Sequence, residues 1–283
     1  MSNEQEREKE PKAHSSLLIA HCSPRHAAQS DVGRVRSNNE DRWFADPRAG
    51  FYLVADGMGG RMAGDLASRA VVEVLPAQLR KAVGGQRPEV GGQRSEIRPP
   101  NSDLRSPLTA AAVERVREAV AGLSRTMHRE SAGQPGLAGM GATLVLAIVR
   151  AGRALVLHMG DSRVYLYRGG ELQRLTKDHT IVQALLDARA ISGEEAQGHP
   201  ARNELTRFVG MPGEPLPDVR LLDLLPGDQL LLCTDGLSGM LSERQMRTIL
   251  ANGQEPQTTC DELVKAANVA GGKDNVTVLL IVV

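Results

Sequence analysis

Connections of only two residues follow some of the chain's apolar segments. Ala151-Gly152 follows the segment at 143–150, and Gly169-Gly170 follows the segment at 163–168. Parallel strands need a crossover of a dozen or more residues, whereas two residues that include glycine suit a tight hairpin. At least part of the sheet structure is therefore predicted to be antiparallel.

Short apolar segments bounded by Gly, Pro, Asp or Asn predict strands, and Ala, Leu and Val at helical spacing predict helices. The predicted strands are residues 51–56, 143–150, 154–161, 163–168, 218–224, 229–235 and 275–283. The predicted helices are residues 64–82, 108–130, 180–190, 242–251 and 257–270. This arrangement indicates an α+β fold in which helices cover stacked sheets.

Two of the predicted strands are apolar at nearly every position, namely ALVLHM at 154–159 and VTVLLIVV at 276–283. Both faces of such strands must be buried. A single sheet with helices on each side would bury them, and so would two sheets packed together with helices outside. The number of strands favours the second arrangement.

Two stretches of the chain lack periodic apolar residues. Residues 1–14 are dominated by Glu, Lys, Arg and Gln and are predicted to be a disordered tail. Residues 84–107 are rich in Gly, Pro, Arg and Ser and predict a mobile, solvated insertion, with a docking loop for a partner as the alternative. Residues 15–283 are predicted to form a single domain.

Charge balance and aromatic content exclude some functions. The 283 residues include 34 Lys+Arg, 34 Asp+Glu, one Trp, three Tyr and three Phe, so the basic surface and stacking side chains of nucleic-acid binders are missing. No apolar segment approaches the roughly 20 residues of a membrane span, and the N-terminus has no signal-peptide pattern. The separated cysteines Cys22, Cys233 and Cys260 suit a reducing compartment, so a cytoplasmic location is predicted.

Four aspartates lie where predicted strands meet turns. Asp56, Asp161 and Asp235 follow apolar segments, and Asp274 precedes the last one. Because the end of one antiparallel strand lies beside the start of its neighbour, these carboxylates are predicted to share one edge, where they would repel one another unless cations bind. Oxygen ligands without His or Cys select Mg²⁺ or Mn²⁺. The alternative for each aspartate is an ordinary turn residue.

The segment Arg36-Ser37-Asn38-Asn39-Glu40-Asp41 adds a guanidinium and two carboxylates before the strand that ends at Asp56. Taken alone, such a segment is typical of a solvated turn. Beside the aspartates, however, the planar fork of Arg36 would suit the oxygens of a phosphate.

Other catalytic templates do not fit. Cys22 and Cys233 are not followed by Arg at the spacing of a cysteine phosphatase. The glycine turn after Asp56 has Met62 at the third glycine position of a dinucleotide-binding motif, and Gly272-Lys273 is followed by Asp274 rather than the Ser or Thr of a P-loop.

Taken together, the motifs resemble the metal-dependent protein phosphatases of the PPM or type 2C family in their bacterial form. The resemblance covers roughly residues 25 to 283 and lies in eight consecutive blocks: VRSNNED (35–41), VADGMGG (54–60), GMGAT (139–143), GDSRVYLYR (160–168), LTKDHT (175–180), HPARNELTRFVG (199–210), LLCTDGL (231–237) and GGKDNVTV (271–278).

The resemblance implies an α-β-β-α sandwich of two mainly antiparallel sheets, with a dinuclear metal site at one end. The implied metal ligands are Glu40, Asp56, the Gly57 carbonyl, Asp161, Asp235 and Asp274. Asp56 would bridge two cations, Asp161 and Asp235 would form a third position, and Asp41 would support the ligands. Arg36, Asp56 and Asp235 are the implied catalytic residues, with Arg36 holding the substrate phosphate.

One position departs from the animal members of the family, which usually place a histidine directly after the Asp-Gly of the second motif. Met58 occupies this position and cannot donate a proton to the leaving group. Bacterial members share this feature. His179 and His199 are candidate acids, although a structural role is the simpler interpretation for each.

The family implies hydrolysis of phosphoserine and phosphothreonine in proteins, by attack of a metal-bridging water, with two or three Mn²⁺ or Mg²⁺ ions. The implied partners are phosphoproteins, including a Ser/Thr kinase and its substrates, and a monomer without nucleic acid or membrane is expected. The alternatives are a catalytically silent phosphoprotein-binding relative and, more distantly, a metal-dependent nuclease or small-molecule phosphatase.

By resemblance to the family, residues 180–205 correspond in position to a segment beside the active site, which is called the flap here. The flap is predicted to begin as a helix that packs through Ala184, Leu185 and Ala188 and to become polar around Glu194 and Glu195. Its charged side chains are expected to contact a protein substrate but not a small aryl phosphate.

Overall fold

The computed structural model describes residues 24–83, 107–213 and 215–283 of the chain. The predicted tail at 1–14, Cys22 and nearly all of the predicted insertion at 84–107 lie outside the described residues. None of the described helices has the length and apolar character that crossing a membrane requires.

The strands of the described residues are β1 (Arg25–Asp31), β2 (Asp41–Asp46), β3 (Phe51–Met58), β4 (Gly141–Ala142), β5 (Leu144–Arg150), β6 (Arg153–Met159), β7 (Arg163–Arg168), β8 (Glu171–Arg174), β9 (Asp218–Asp223), β10 (Gln229–Cys233) and β11 (Val276–Val282). The helices are α1 (Arg61–Val83), α2 (Ala110–Ser131), α3 (Ile181–Asp187), α4 (Gly193–Gln197), α5 (Asp235–Ser238), α6 (Glu243–Leu250) and α7 (Pro256–Val269), with a 3₁₀ turn at Pro135–Leu137.

The strands form two sheets in which every described pairing is antiparallel. One sheet has the order β1-β11-β10-β7-β8, and the other has the order β2-β3-β5-β6-β9, with the short β4 paired to β3. The two-residue connections Ala151-Gly152 and Gly169-Gly170 join β5 to β6 and β7 to β8, and these residues take positive φ angles. The hairpins predicted from these connections are confirmed.

Apolar side chains fill three layers between the elements. The two sheets pack against each other through residues that include Tyr52, Val145, Leu230 and Ile281. Helices α1 and α2 cover the outer face of one sheet, and α7, together with α6, covers the outer face of the other. The predicted α-β-β-α sandwich is confirmed, and the nearly continuous apolar character of β6 and β11 follows from their position between a sheet and a helix layer.

Several element boundaries differ from the sequence prediction. Strands β1, β2 and β8 were not predicted, because they are edge strands whose residues are largely half-buried or exposed and carry few large apolar side chains. Strand β10 ends at Cys233, so Asp235 opens helix α5 rather than closing the strand. Helix α4 was not predicted either, and it begins with a capping box between Ser192 and Glu195.

Candidate active site

An open cavity of about 640 Å³ lies at one end of the two sheets, and all the site residues predicted from the sequence line it. They are Arg36, Glu40, Asp56, Gly57, Asp161, Asp235 and Asp274. They come from five separate parts of the chain, and the fold brings them to one place.

The sequence predicted that the four aspartates share one edge of a sheet. The structure instead divides them between the two sheets and the turn that links them. Asp56 lies in β3 of one sheet, Asp235 and Asp274 flank β10 and β11 of the other, and Asp161 lies in the turn from β6 to β7 that links the sheets. The pattern of strand ends indicated the grouping correctly, but the split between two sheets depends on pairings that the sequence does not reveal.

Thr143 holds Asp56 and the turn that contains Asp161. The Thr143 Oγ1 atom accepts a hydrogen bond from the Asp56 N–H at 3.0 Å, and the Thr143 N–H donates to the Asp56 carbonyl at 2.8 Å. The same hydroxyl lies 2.7 Å from the Ser162 hydroxyl. A single buried side chain therefore connects β3 to the turn between β6 and β7, next to Asp56 and Asp161.

The glycines beside the carboxylates permit close approach of backbone segments. A Cβ atom on Gly236 would lie 1.9 Å from the Asn275 carbonyl oxygen, so only glycine lets Asp235 come this close to the start of β11. A Cβ atom on Gly57 would lie 2.0 Å from the Gly64 carbonyl oxygen. The Asp-Gly pairs at 56–57 and 235–236 are therefore required by packing as well as by the turn.

Asn275 fixes the loop that carries Arg36 and Glu40. Its Oδ1 atom accepts a hydrogen bond from the Glu40 N–H at 2.9 Å, and its Nδ2 group donates to the carbonyls of Val32 and Asn38 at 3.0 and 2.8 Å. This role was not predicted, because the partners lie more than 230 residues away in the chain. The sequence signal was only its place in the block GGKDNVTV.

Burial and mutual repulsion raise the pKa values of the clustered carboxyls. Burial raises the pKa of Asp41 to about 7, and the charges of Asp235 and Asp274 add to the shift. Burial, with the charge of Asp235, raises the pKa of Asp161 to about 7. Burial, with the charge of Asp274, raises the pKa of Asp235 to about 6. The pKa of Asp56 is also well above its ordinary value, because of burial and then the charges of Asp41, Asp235 and Asp161. The cluster therefore favours bound protons or bound cations.

The residues present fit hard divalent cations. The ligand atoms are all carboxylate or carbonyl oxygens, and the Asp235 Oδ1 atom is buried with no hydrogen-bond partner. Within the described part of the chain, no three of the predicted carboxylates bring ligand atoms within 4.8 Å of one another. They surround the cavity instead of converging on one point.

Arg36 reaches the cluster from the surface. It is exposed, and its Nη2 atom donates to the Asp274 Oδ2 atom at 2.7 Å. This hydrogen bond and the charge of Asp274 raise the already high pKa of Arg36, so its positive charge is permanent. The guanidinium is therefore placed where a phosphate above the carboxylates could be bound.

The one trio of metal-ligating residue types that does come within 4.8 Å in the described residues is His158, His179 and Asp218. The His179 Nδ1 atom accepts the Gly160 N–H at 3.1 Å, which leaves the proton on Nε2, 3.2 Å from Asp218. A cation bound to Nε2 would require a proton on Nδ1, where the Gly160 N–H already points. This trio is therefore a hydrogen-bonded support for the Gly160-Asp161 turn and not a metal site.

The two candidate acids, His179 and His199, are not among the described residues that line the 640 Å³ cavity. Burial and the neighbouring His158 lower the pKa of His179 to about 4, so this imidazole is neutral at pH 7. The His199 Nδ1 atom accepts the Ala201 N–H at 3.2 Å within its own loop. Met58 lines the cavity, and the structural interpretation of both histidines agrees with their positions.

The flap differs from its prediction in detail. Helix α3 ends at Asp187, Val182 is its buried residue, and Ala184 and Ala188 are exposed instead of packed. Glu195 closes the capping box of α4, with its Oε2 atom accepting the Ser192 N–H at 2.8 Å. The residues of this region that line the cavity, Asn203, Leu205 and the following Phe208, were not predicted.

Comparisons with known proteins identify the family to which this chain belongs. Residues 32–267 match the profile of the family described as Protein phosphatase 2C. The serine/threonine phosphatase stp of Listeria welshimeri is 33% identical over 257 residues, which cover 89% of this chain and 93% of that protein. The serine/threonine protein phosphatase PstP of Mycobacterium tuberculosis is 39% identical over 259 residues, which cover 90% of this chain and 44% of that protein.

Solved structures show the same architecture. A crystal structure of the catalytic domain of the phosphatase PstP in complex with two manganese ions matches with a TM-score of 0.72 and 33% identity, covering 92% of this chain and 97% of that one. Two antiparallel sheets between helix layers, with half-buried carboxylates at one end, thus define a metal-dependent protein serine/threonine phosphatase. The chain belongs to the protein phosphatase 2C family, and the resemblance seen in its motifs is confirmed.

Proposed function

We propose that this phosphatase hydrolyses phosphoserine and phosphothreonine in proteins at the 640 Å³ cavity that Arg36 lines, which is called the catalytic cavity below. The carboxylates would hold two divalent cations there. The cation ligands would be Glu40, Asp56, the Gly57 carbonyl, Asp235 and Asp274, with Asp161 and Asp235 providing a third position. The observation that carries the proposal is the half-buried carboxylate cluster, in which the pKa values of Asp56 and Asp235 are raised and which the Arg36 guanidinium adjoins.

The protein's own groups would bind and orient the substrate. When bound, the cations supply an activated water nucleophile and neutralise charge on the phosphoryl group. Arg36 would hold two phosphoryl oxygens in its planar fork and stabilise the charge that develops on them. Asp41, bonded to the Thr234 hydroxyl at 2.9 Å, would hold the adjoining Glu40 and Asp56 in place.

The choice of cation follows from the donor set. Oxygen ligands on half-buried carboxylates bind Mn²⁺ and Mg²⁺ reversibly, and a thiolate or imidazole site that would select Zn²⁺ is missing among the described residues lining the cavity. No histidine is among the described residues that line the cavity, so the leaving alkoxide would take its proton from water or from another acid.

The physiological setting rests on the family. The chain would act as a monomeric single domain over residues 15–283, in the cytoplasm, on phosphoproteins that include a Ser/Thr kinase and its substrates. The relatives' names support phosphoprotein substrates, since they describe serine/threonine phosphatases.

The test strips the full chain with EDTA and measures hydrolysis of p-nitrophenyl phosphate and of a phosphothreonine peptide, with and without Mn²⁺ or Mg²⁺. Both substrates should be hydrolysed only with added cation. Full activity in the stripped sample would refute the metal site. Peptide binding without turnover at saturating Mn²⁺ would instead support the silent phosphoprotein-binding alternative.

A further inference from the structure

A second cavity of about 410 Å³ adjoins the catalytic cavity, and it differs from it in chemistry. It lies between the C-terminal end of α2, the 3₁₀ turn at Pro135–Leu137 and the segment from Phe208 to Pro212. Its apolar side chains include Pro135, Leu137, Ala138, Met140, Phe208 and Pro212, and this cavity is called the apolar groove below. Its volume is within the range of about 300–1,000 Å³ typical of ligand clefts.

The Phe208 ring forms a wall of both cavities. A Cβ atom on Gly141 would lie 2.5 Å from the ring carbon Cδ2, so the ring packs directly on the backbone of β4. Val209 exchanges backbone hydrogen bonds with Ala142 at 2.9 and 3.0 Å, which fixes the position of the ring. Residues bound on the two sides of Phe208 would therefore be separated by a single side chain.

The loop that carries the groove also contacts the glycine turn of the catalytic cavity. A Cβ atom on Gly59 would lie 2.8 Å from the Gly139 carbonyl oxygen. Ala138, next to Gly139, is exposed at the groove, and Leu137 and Met140 are half-buried. The groove is thus continuous with the rim of the catalytic cavity and open to solvent.

No Asp, Glu, Lys or Arg is among the described residues that line the groove, where His128 is the one titratable side chain. A neighbouring cavity of about 530 Å³, which shares Asp161 and Asp235 with the catalytic cavity, is polar and includes Arg202 and Lys273. The surroundings of the catalytic cavity are therefore apolar on the side of Phe208 and charged on the side of the flap.

We propose that the apolar groove binds an apolar side chain of the protein substrate, close in sequence to the phosphorylated residue. This inference rests on the proposed function, because the phosphoryl group must occupy the catalytic cavity while the neighbouring side chain crosses Phe208. A polypeptide whose phosphorylated residue enters a cavity necessarily lays its adjacent residues on the rim. On this side the described rim is mostly apolar and carries no Asp, Glu, Lys or Arg, with Ser131, Gln134 and His128 as its polar side chains. The groove would select substrates by sequence, without contacting the reacting atoms.

The test compares phosphothreonine peptides that carry Leu, Asp or Lys at each of the four positions before and after the phosphorylated residue. At one or more positions on one side, the peptide with Leu should have a kcat/KM about tenfold above the peptide with Asp, since an apolar pocket discriminates by at least this factor. The rate with p-nitrophenyl phosphate serves as the reference for each enzyme preparation.

The variant Ala138→Glu places a carboxylate in the groove at an exposed position, so folding should be preserved. At the same peptide position, the preference for Leu should be lost and Lys should become the best of the three residues. The matched control is Ala111→Glu, an exposed alanine in the first turn of α2, about 30 Å along that helix from the groove. The control should keep the wild-type order of peptides.

Three outcomes would overturn the proposal. Equal rates for the Leu, Asp and Lys peptides would refute the groove while leaving the proposed function intact. The same order of peptides in Ala138→Glu and wild type, together with altered sedimentation of the variant, would assign the groove to a second copy of the chain. Failure to hydrolyse any phosphopeptide at saturating Mn²⁺ would refute both the groove and the proposed function.

Discussion

The guanidinium of Arg36 donates a hydrogen bond to the Asp274 Oδ2 atom at 2.7 Å. The side chain proposed to hold the substrate phosphate is thus bonded to a carboxylate proposed to hold a cation. A cation on Asp274 would compete with Arg36 for this oxygen and would free the guanidinium to bind phosphate. Cation binding and phosphate binding are therefore expected to depend on each other through this pair.

Replacing Arg36 with Ala should tighten the binding of Mn²⁺ and weaken the binding of substrate. The pair is exposed, with side chains 57% and 35% accessible, so its loss should change the Mn²⁺ affinity by a few-fold at most, in line with the roughly 0–1 kcal/mol of exposed ion pairs. The KM for p-nitrophenyl phosphate should rise by about tenfold or more. Isothermal titration with Mn²⁺ and steady-state kinetics measure the two effects. Arg36→Lys keeps the positive charge but loses the planar fork, so its KM should lie between those of Arg36→Ala and the wild type. An unchanged KM in both variants would place Arg36 outside the phosphate site.

Replacing Asp56 with Asn should abolish turnover while keeping the fold. The side chain keeps its size but loses the charge proposed to bind both cations, and the loss of activity should exceed about 10³-fold. Without metal, the variant should melt at a higher temperature than the wild type, because one of several mutually repelling carboxylates has been removed. Asp261→Asn, an exposed position on α7, is the matched control and should change neither property. Activity within about tenfold of the wild type would contradict the proposed ligand set.

The stability of metal-free Asp235→Asn relative to the wild type should depend on pH. The pKa of Asp235 is raised in the folded state to about 6 from an ordinary value of 3.8. The contribution of Asp235 to the free energy of unfolding of the wild type is therefore complete below about pH 4 and is lost as the pH rises through 6. The Asn variant has no such loss, so its advantage in free energy of unfolding should grow between pH 4 and pH 7. Urea titrations in EDTA at several pH values measure this difference, in which the opposing effects of buried histidines cancel. If the difference in free energy of unfolding stays constant with pH, the raised pKa of Asp235 is contradicted. With saturating Mn²⁺ in place of EDTA, the wild type should become the more stable of the two proteins.

Replacing Asn275 with Ala should remove both stability and activity. Three hydrogen bonds to the loop at 32–40 are lost from a residue that is only 6% exposed, and the expected cost is about 2–4 kcal/mol. The control is Asn268→Ala, a similarly buried asparagine at 7% exposure that bonds to Asp31 and lies outside the catalytic cavity. Chemical denaturation should show both variants to be destabilised, but only Asn275→Ala should also bind Mn²⁺ more weakly. Equal Mn²⁺ affinity in the two variants would mean that the loop is held without Asn275.

The sequence indicated that carboxylates gather at one cavity because Asp56, Asp161 and Asp235 each follow a strongly apolar segment. Asp56 and Asp235 could be identified in this way, since burial of the preceding strand leaves the aspartate at the boundary with solvent. The division of the carboxylates between two sheets could not be predicted, because strand order depends on pairings between distant segments.

The residues that support the site escaped prediction for a related reason. Thr143 bonds to Asp56 across 87 positions of the chain, and the Asn275 amide reaches Val32 across 243. Neither residue type is distinctive in a sequence, and each gains its role only from the partner that the fold brings near. Phe208 is similar, since its place between two cavities follows from the glycine at 141.

Charge reversal in the flap should affect protein substrates more than small ones. Glu194 is exposed on α4 and outside the catalytic cavity, whereas Glu195 is engaged in the capping box, so only Glu194 tests the flap surface without disturbing the helix. Glu194→Lys should change kcat/KM for phosphopeptides several-fold and leave p-nitrophenyl phosphate hydrolysis unchanged, because only a polypeptide extends far enough to reach it.

Two further variants define what that result means. Glu243→Lys, an exposed glutamate in the first turn of α6, introduces the same charge away from the cavity and should behave as the wild type. Asn203→Ala alters a residue that lines the catalytic cavity and should change the kinetics of both substrates. Parallel assays on p-nitrophenyl phosphate and on phosphopeptides of different length distinguish these cases. If Glu194→Lys changes both substrates equally or neither, the outer part of the flap is an inert surface loop, and protein recognition depends on the residues that line the cavities.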